Sequence, residues 1–258
     1  MSQSRVNYDL IAPRYDRQPY RDKIVDPELI TFLQSSMIEP HGKVAMLDIA
    51  CGTGNQLVAN EAVLGSGVRV GLDLFWGMLR QAQPKMRRIN WVQADGAHPP
   101  FADQSFDFIS HQFAFHHVSD KAGMMQATYR LLKPGGRLVM KNLAPHDMPD
   151  WIYYQYFPAA FDMDRQDFLS REALLELAHQ VGFRPVAIEI ENMTFEQDLG
   201  ELVDTVRRRD TCSQLLTISD ADYQAGMQQL ERELEAAGGR SRRVPVHMSL
   251  LTLRGDRT

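Results

Sequence analysis

Between residues 44 and 143, short apolar runs alternate with segments of helical spacing, and this limits the fold more than any other feature. VAMLDIA (44–50), VRVGLD (68–73), INWVQAD (89–95), a run within SFDFISHQFAF (105–115) and RLVMKNL (137–143) read as strands. Asn55–Leu64, Trp76–Gln83 and Lys121–Leu132 read as helices, the last followed by a KPGG turn at 133–136. Strands joined to helices by short loops give a parallel sheet covered on both faces. FRPVAIEIE (183–191) adds a sixth strand, and VPVHMSLLTLR (244–254) alternates like a last, antiparallel one. The expected fold is therefore α/β, a doubly wound seven-stranded sheet, mostly parallel.

The flanks read as additions to that sheet. Residues 1–42 carry short helices, including one with apolar spacing at Leu29, Phe32, Leu33 and Met37 that Pro40, His41 and Gly42 break. Residues 171–181 form an amphipathic helix, and a polar helical insertion fills 196–239. We expect one domain over 1–258: an N-terminal cap (1–42), a ligand-binding core (43–143) and substrate-side add-ons with the last strands (144–258).

Bulk properties narrow the partners. A formal net charge of −5 argues against a nucleic-acid substrate. No apolar run reaches the roughly 18 residues of a membrane span. The start, MSQSRVNYDL, lacks an apolar signal core, so a cytoplasmic protein is expected. Cys51 and Cys212 form neither a disulfide framework nor a metal cluster. The sequence leaves the oligomeric state open.

LDIACGTGNQL (47–57) runs from the first strand into Gly52 and Gly54. In an open parallel sheet, ligands sit beyond the carboxyl ends of the strands, and glycine there lets backbone approach a ligand. Asp73 ends the second strand about twenty residues later, where a carboxylate can take both ribose hydroxyls of a nucleoside. NAD and S-adenosylmethionine both carry such a ribose. A dinucleotide site wants a third glycine or alanine where this chain has Leu57, and no phosphate loop of the GxxxxGK type is present. Asp95, ending the third strand, can accept from the adenine amine. These features describe a nucleoside site without a strong pyrophosphate demand.

LDIACGTGNQL, VGLD, VQADGAHPPFADQSFDFI and RLLKPGGRLVM, in that order, resemble the class I S-adenosylmethionine-dependent methyltransferases, closest to the UbiE-like small-molecule branch. The resemblance covers residues 44–143 and extends to YDLIAPRYD near the start. It implies a Rossmann-like fold with S-adenosylmethionine as cofactor. Backbone at Ala50, where glycine is more usual, and at Gly52 and Gly54 would face the methionine part of that cofactor, and Asn55 would also bind the cofactor. Asp73 would take the ribose, Leu74 and Met78 the adenine faces, and Asp95 and Gly96 the adenine edge. His111 would lie below the methionine amino group. Tyr8 and Tyr15 belong to a segment that folds over the cofactor in this branch.

The implied reaction is in-line displacement of a methyl from a sulfonium, in which the protein positions the acceptor and excludes water. A hydroxyl acceptor also needs a base. HQFAFHHVSD (111–120) offers His116 to line the active site and act as base, and His117 to anchor the loop. WIYYQYFPAAF (151–161) either walls an acceptor pocket or packs as core. Arg207, Arg208 and Arg209, with Arg240, Arg242 and Arg243, either receive an anionic substrate or form a solvated face. O- or C-methylation of a small molecule leads, with N-methylation behind it. The alternatives are an NAD(P)-linked oxidoreductase and a methyltransferase fold that binds cofactor without turnover.

Overall fold

The computed structural model describes residues 6–18, 21–36, 43–238 and 242–258. Met37, Pro40, His41, Gly42 and Arg240 lie outside the described residues. Seven strands form one sheet in the order β3-β2-β1-β4-β5-β7-β6. They are β1 (Met46–Ile49), β2 (Arg69–Asp73), β3 (Asn90–Gln93), β4 (Phe106–Gln112), β5 (Leu132–Leu143), β6 (Val186–Asp198) and β7 (Arg243–Asp256). Strands β1 to β5 pair in parallel. At the β6 edge Arg184 donates to the Asp256 carbonyl and Asp256 donates to Pro185, and at the β5 edge Gly135 donates to Arg257, which donates to Gly136, so β7 runs antiparallel to both neighbours. This is the doubly wound sheet with an antiparallel last strand that the alternation predicts.

The chain forms two compact units. The first comprises residues 1–142, 172–189 and 252–258. It holds α1 (Ala12–Tyr15), α2 (Pro27–Ser35), α3 (Asn55–Asn60), α4 (Trp76–Ala82) and α5 (Lys121–Leu131), and most of α8 (Arg171–Val181). Its core includes Leu29 and Phe32 of α2, Met46 of β1, Leu57 of α3 and Phe108 of β4. All four residues of β1 are buried, as a central parallel strand covered on both faces requires. Helix α2 begins at an Asp-Pro signal: Asp26 caps it by accepting from the Glu28 amide at 3.0 Å, with Pro27 in the first turn.

Two sequence expectations change here. Helix α3 stops at Asn60 rather than Leu64, giving way to turns. KPGG is no separate turn, because β5 starts at Leu132 and its register with β4 shifts between Phe106 and Phe108. The extra residues bulge out, with Gly135 at φ +78° supplying the backbone angle.

The second unit comprises residues 143–171 and 190–251. It contains α6 (Ile152–Tyr156), α7 (Pro158–Asp167), α9 (Leu199–Val206), α10 (Ser213–Thr217) and α11 (Asp220–Ala236); α8 (Arg171–Val181) follows α7 at the boundary. Trp151, Ile152, Tyr154, Tyr156, Phe157 and Ala160 are buried in its core beside Leu202, Tyr223 and Leu230. Most of the aromatic segment therefore packs as core. The insertion is shorter than expected, because β6 runs on to Asp198, which caps α9. Four of the arginines are engaged with acids. Arg207 meets Glu231 at 3.0 Å, Arg209 meets Asp220, Arg242 meets Glu233 at 3.4 Å and Arg243 meets Glu196 at 3.6 Å. Among the described residues, no helix is long and apolar enough to cross a membrane.

Candidate active site

The carboxyl ends of β1, β2, β3 and β4 open into one cleft of about 740 Å³ including its mouth. Sheet topology explains its place: β1 pairs with β2 on one side and β4 on the other, so the crossovers diverge at this end.

The turn after β1 bends sharply. Ala50 (φ 55°), Gly52 (φ 56°) and Gly54 (φ 77°) all adopt the left-handed region. The Cys51 amide reaches the Leu72 carbonyl at 3.0 Å, tying the turn to β2. Ala50 and Gly52 line the cleft, and a Cβ added to Gly52 would meet nothing within 4 Å. Gly54 does not line it. It lies against the Trp91 ring, which a Cβ would strike, and caps α3.

Asp73 is 5% exposed and still lines the cleft. One carboxylate oxygen accepts from the Gly52 amide at 2.7 Å, the other from the Phe75 amide at 2.9 Å. Its two oxygens together have about four acceptor positions, so accepting capacity remains beside these backbone bonds. Burial raises its pKa to about 6 against the opposing backbone bonds. Leu74, buried Met78, Asp95 and Gly96 complete this end of the cleft. Asp95 Oδ1 accepts from the Ala97 amide at 3.0 Å.

The N-terminal segment covers the opening. Tyr8 and Tyr15 line the cleft, and the Tyr8 hydroxyl lies 2.7 Å from His117 Nε2. Asp9 Oδ1 accepts from the Gly77 amide at 2.5 Å. Asp16 takes the Thr53 hydroxyl at 2.6 Å, the Asn55 amide at 3.0 Å and Lys85 at 2.6 Å. Asn55 therefore clamps the segment to the glycine turn instead of facing the cleft. Burial and the nearby acids raise the Tyr15 pKa; Arg21, 3.9 Å over its ring, opposes this.

The fourth strand corrects two expectations. His111 is 1% exposed, stacked on Phe115, and does not line the cleft. β4 continues one residue further, and side chains alternate faces along a strand, so Gln112 faces the cleft instead. Burial lowers the His111 pKa to about 3, keeping it neutral. Phe115–His117 then form a 3-10 turn, in which successive side chains point about 120° apart. His117 lines the cleft; His116 is buried away from it with Asn142 as a partner. Burial, with Lys121, lowers the His117 pKa to about 4.

Sequence reasoning missed Phe75, Gln112, Phe113, Val118 and Met124, which also line the cleft. Phe113 holds φ 54°, an unusual angle for a bulky residue that no local sequence signal announces. No cluster of metal-ligating side chains occurs among the described residues.

Fold and cleft together define a class: a doubly wound domain that takes a nucleoside beyond its strand ends. Leu57 is fully buried where a dinucleotide site needs a small residue. The methyltransferase domain family matches residues 47–140. A demethylmenaquinone methyltransferase of Lactobacillus johnsonii is 31% identical over 167 residues, covering 55% of this chain and 68% of the relative. The enzyme of the same name from Lactiplantibacillus plantarum is 28% identical over 205 residues, 69% of this chain and 86% of the relative. The phosphoethanolamine N-methyltransferase 2 of Haemonchus contortus, solved with S-adenosyl-L-methionine, shares the fold at TM-score 0.56 and 18% identity. That match covers 97% of this chain and 57% of that one. The chain belongs to the class I S-adenosylmethionine-dependent methyltransferases and is UbiE-like within them. It is an enzyme whose cofactor is S-adenosylmethionine.

The cleft suits that cofactor. It offers the Asp73 carboxylate, apolar walls at Leu74 and Met78, and open space over Gly52.

Proposed function

We propose that the cleft holds S-adenosylmethionine with its ribose on Asp73, its adenine between Leu74 and Met78 with its edge at Asp95 and Gly96, and its methionine end toward β4. Ala50 and Gly52 supply backbone beneath the sulfonium side, and Tyr8 and Tyr15 cover it. The acceptor is a small, largely apolar molecule methylated on carbon or oxygen. The observation that carries this reading is Asp73, nearly buried at the cleft floor and held there by backbone amides with accepting capacity to spare. The cofactor supplies an electrophilic methyl. The chain's own part is to orient the acceptor and keep water out.

The acceptor side is lined by Phe113 and Val118. Among the described residues no Lys or Arg lines the cleft, which suits an uncharged ring better than an anion. Relatives named demethylmenaquinone methyltransferases favour carbon methylation of a quinone-like ring. His117, rather than His116, is the histidine that meets the acceptor. Its lowered pKa makes it a neutral hydrogen-bond partner first and a weak base second.

Titration calorimetry with S-adenosylhomocysteine and, in parallel, NAD⁺ tests the site. Micromolar binding of the former alone, lost in Asp73→Ala, is the expected result. Binding unchanged in that variant would remove Asp73 from the site. Transfer of a labelled methyl to a reduced naphthoquinone, with none to a matched amine, tests the acceptor class.

A further inference from the structure

The N-terminal cap has two faces. Ile11 and Ala12 are buried, and Tyr8 and Tyr15 line the cleft, whereas Leu10, Pro13, Arg14 and Arg17 are exposed. Positions 10, 13, 14 and 17 recur at helical spacing, so one outward stripe carries two apolar side chains and two arginines. A second stripe lies beside it. Asp9 Oδ1 accepts from the Gly77 amide at 2.5 Å, and a Cβ added to Gly77 would stand 3.4 Å from the Ala12 Cβ, so the cap packs on the start of α4. There Trp76 and Arg80, four residues apart, share the outer face of the helix, and Met78 and Leu79 are buried beneath it. Leu10 is 73% exposed, Trp76 44% and Leu74 36%. Leu74 also lines the cleft, as does Phe75, whose ring lies 5.5 Å from that of Tyr8. An apolar rim therefore runs from the cleft to the surface.

Charge on this rim has one sign left over. The two acids of the stretch 8–17 are engaged, Asp9 with the Gly77 amide and Asp16 with Thr53, Asn55 and Lys85. Among the described residues, Arg17 and Arg80 meet no acid. That excess of cation stands on a chain whose net charge is −5. Exposed tryptophan and leucine beside arginine fit the surface of an anionic bilayer, where the apolar groups enter the headgroup boundary and the guanidiniums meet phosphate. An acidic protein would satisfy the arginines but give the apolar rim no reason to adjoin the cleft. A bilayer satisfies both, because it dissolves an apolar acceptor.

We propose that this rim docks on an anionic membrane surface, with Leu10 and Trp76 at headgroup level and Arg17 and Arg80 on lipid phosphates, so that an apolar acceptor passes from lipid into the cleft. The route rests on the acceptor proposed above; the docking does not. Contact of this kind needs no spanning helix.

The test is flotation of the intact chain with vesicles of phosphatidylcholine alone and of phosphatidylcholine mixed with phosphatidylglycerol. The chain should float with the mixed vesicles, less so as salt is raised, and scarcely with phosphatidylcholine alone. Leu10→Ser combined with Trp76→Ser should weaken partitioning to the mixed vesicles about tenfold or more. Arg17→Gln combined with Arg80→Gln should weaken it about tenfold and remove most of the salt dependence. Phe195→Ser, which removes a comparably exposed aromatic side chain from β6, should change nothing. None of these side chains lines the cleft, so S-adenosylhomocysteine should bind every variant as it binds the parent protein, which also shows that the variants fold. No flotation with either vesicle, or a loss in Phe195→Ser equal to that in the rim variants, overturns the proposal. So does a parent dimer that the Leu10 and Trp76 changes turn into a monomer without any vesicle binding, which would assign the rim to a second copy of the chain. Transfer of a labelled methyl to reduced naphthoquinone carried in the mixed vesicles tests the route. Flotation without transfer would overturn the acceptor and the route and uphold the docking.

Discussion

The Tyr8 hydroxyl lies 2.7 Å from His117 Nε2, and their rings meet edge to face with centroids 5.4 Å apart. The two residues are 109 positions apart in the chain, so this one contact joins the N-terminal segment to the loop after β4. Both line the cleft. Because His117 is held neutral, one ring nitrogen can accept from the tyrosine at physiological pH.

Tyr8→Phe removes that bond and keeps the ring. A net hydrogen bond contributes about 1 kcal/mol, or roughly fivefold in an equilibrium. We expect S-adenosylhomocysteine to bind several-fold more weakly in calorimetry, with most of the loss in a faster dissociation rate. An unchanged dissociation rate would mean that the contact does not help to close the cleft.

Cofactor affinity should follow the titration of Asp73. Its pKa is raised to about 6 by burial, so below that pH the free protein carries a neutral carboxyl there. A protonated oxygen loses part of its accepting capacity for ribose hydroxyls. Binding should be flat above about pH 7 and weaken below 6, at most tenfold per pH unit for one proton. Asp73→Asn should bind weakly and lose this dependence. A decline centred near pH 4 would implicate His117 instead.

Stability should respond to Asp48, buried in β1 with the Ser110 hydroxyl donating to it at 2.7 Å. Burial raises its pKa to about 7, from an unperturbed 3.8. Between those values the folded state keeps a proton that the unfolded state has lost. Stability from this group therefore falls as pH rises from about 4 to 7 and is level above. Asp48→Asn stays neutral throughout and should flatten that decline in urea titrations run at several pH values.

Gly71→Ala should destabilise the sheet by about 2 kcal/mol, the size of a typical overpacking error. An added Cβ would stand 2.5 Å from Trp91 ring carbons and 2.9 Å from Cys51 Sγ. Thermal unfolding should show partial rescue by Trp91→Leu, which opens space beside it. Absence of rescue would place the clash elsewhere.

Ala50 sits at φ 55°, in the left-handed region that favours glycine. Relief of left-handed strain in Ala50→Gly, about 1 kcal/mol, is offset by the greater freedom of glycine in the unfolded chain, ~0.4–1 kcal/mol. The net change in unfolding free energy should be no more than about 0.6 kcal/mol. Ala50→Val adds β-branching at the same angle and should cost at least about 1 kcal/mol.

Much of the cleft is legible in the amino-acid sequence. The strand-and-helix alternation places carboxyl ends together, so Ala50, Gly52, Asp73, Leu74, Asp95 and Gly96 can be named from position and motif, and all line the cleft. The histidines cannot be resolved in this way. His111 and Gln112 are neighbours in sequence and opposites on the sheet, and an error of one residue in where the strand faces exchanges them. His116 and His117 are separated by one step of a 3-10 turn that begins at Phe115, and nothing local fixes where that turn begins.

Sequence by itself determined the order of elements, the glycine turn and the acidic strand ends, because apolar periodicity and chain connectivity are local properties that strongly restrict topology. Tertiary structure alone decided which side chains turn inward, because that depends on partners far along the chain. Asp26, buried and held by Lys141, fixes the Gln112 amide across 86 positions. The aromatic run at 151–161 packed mainly as core because the helices of the second unit supplied apolar faces to cover it, and that coverage is not written in the run itself.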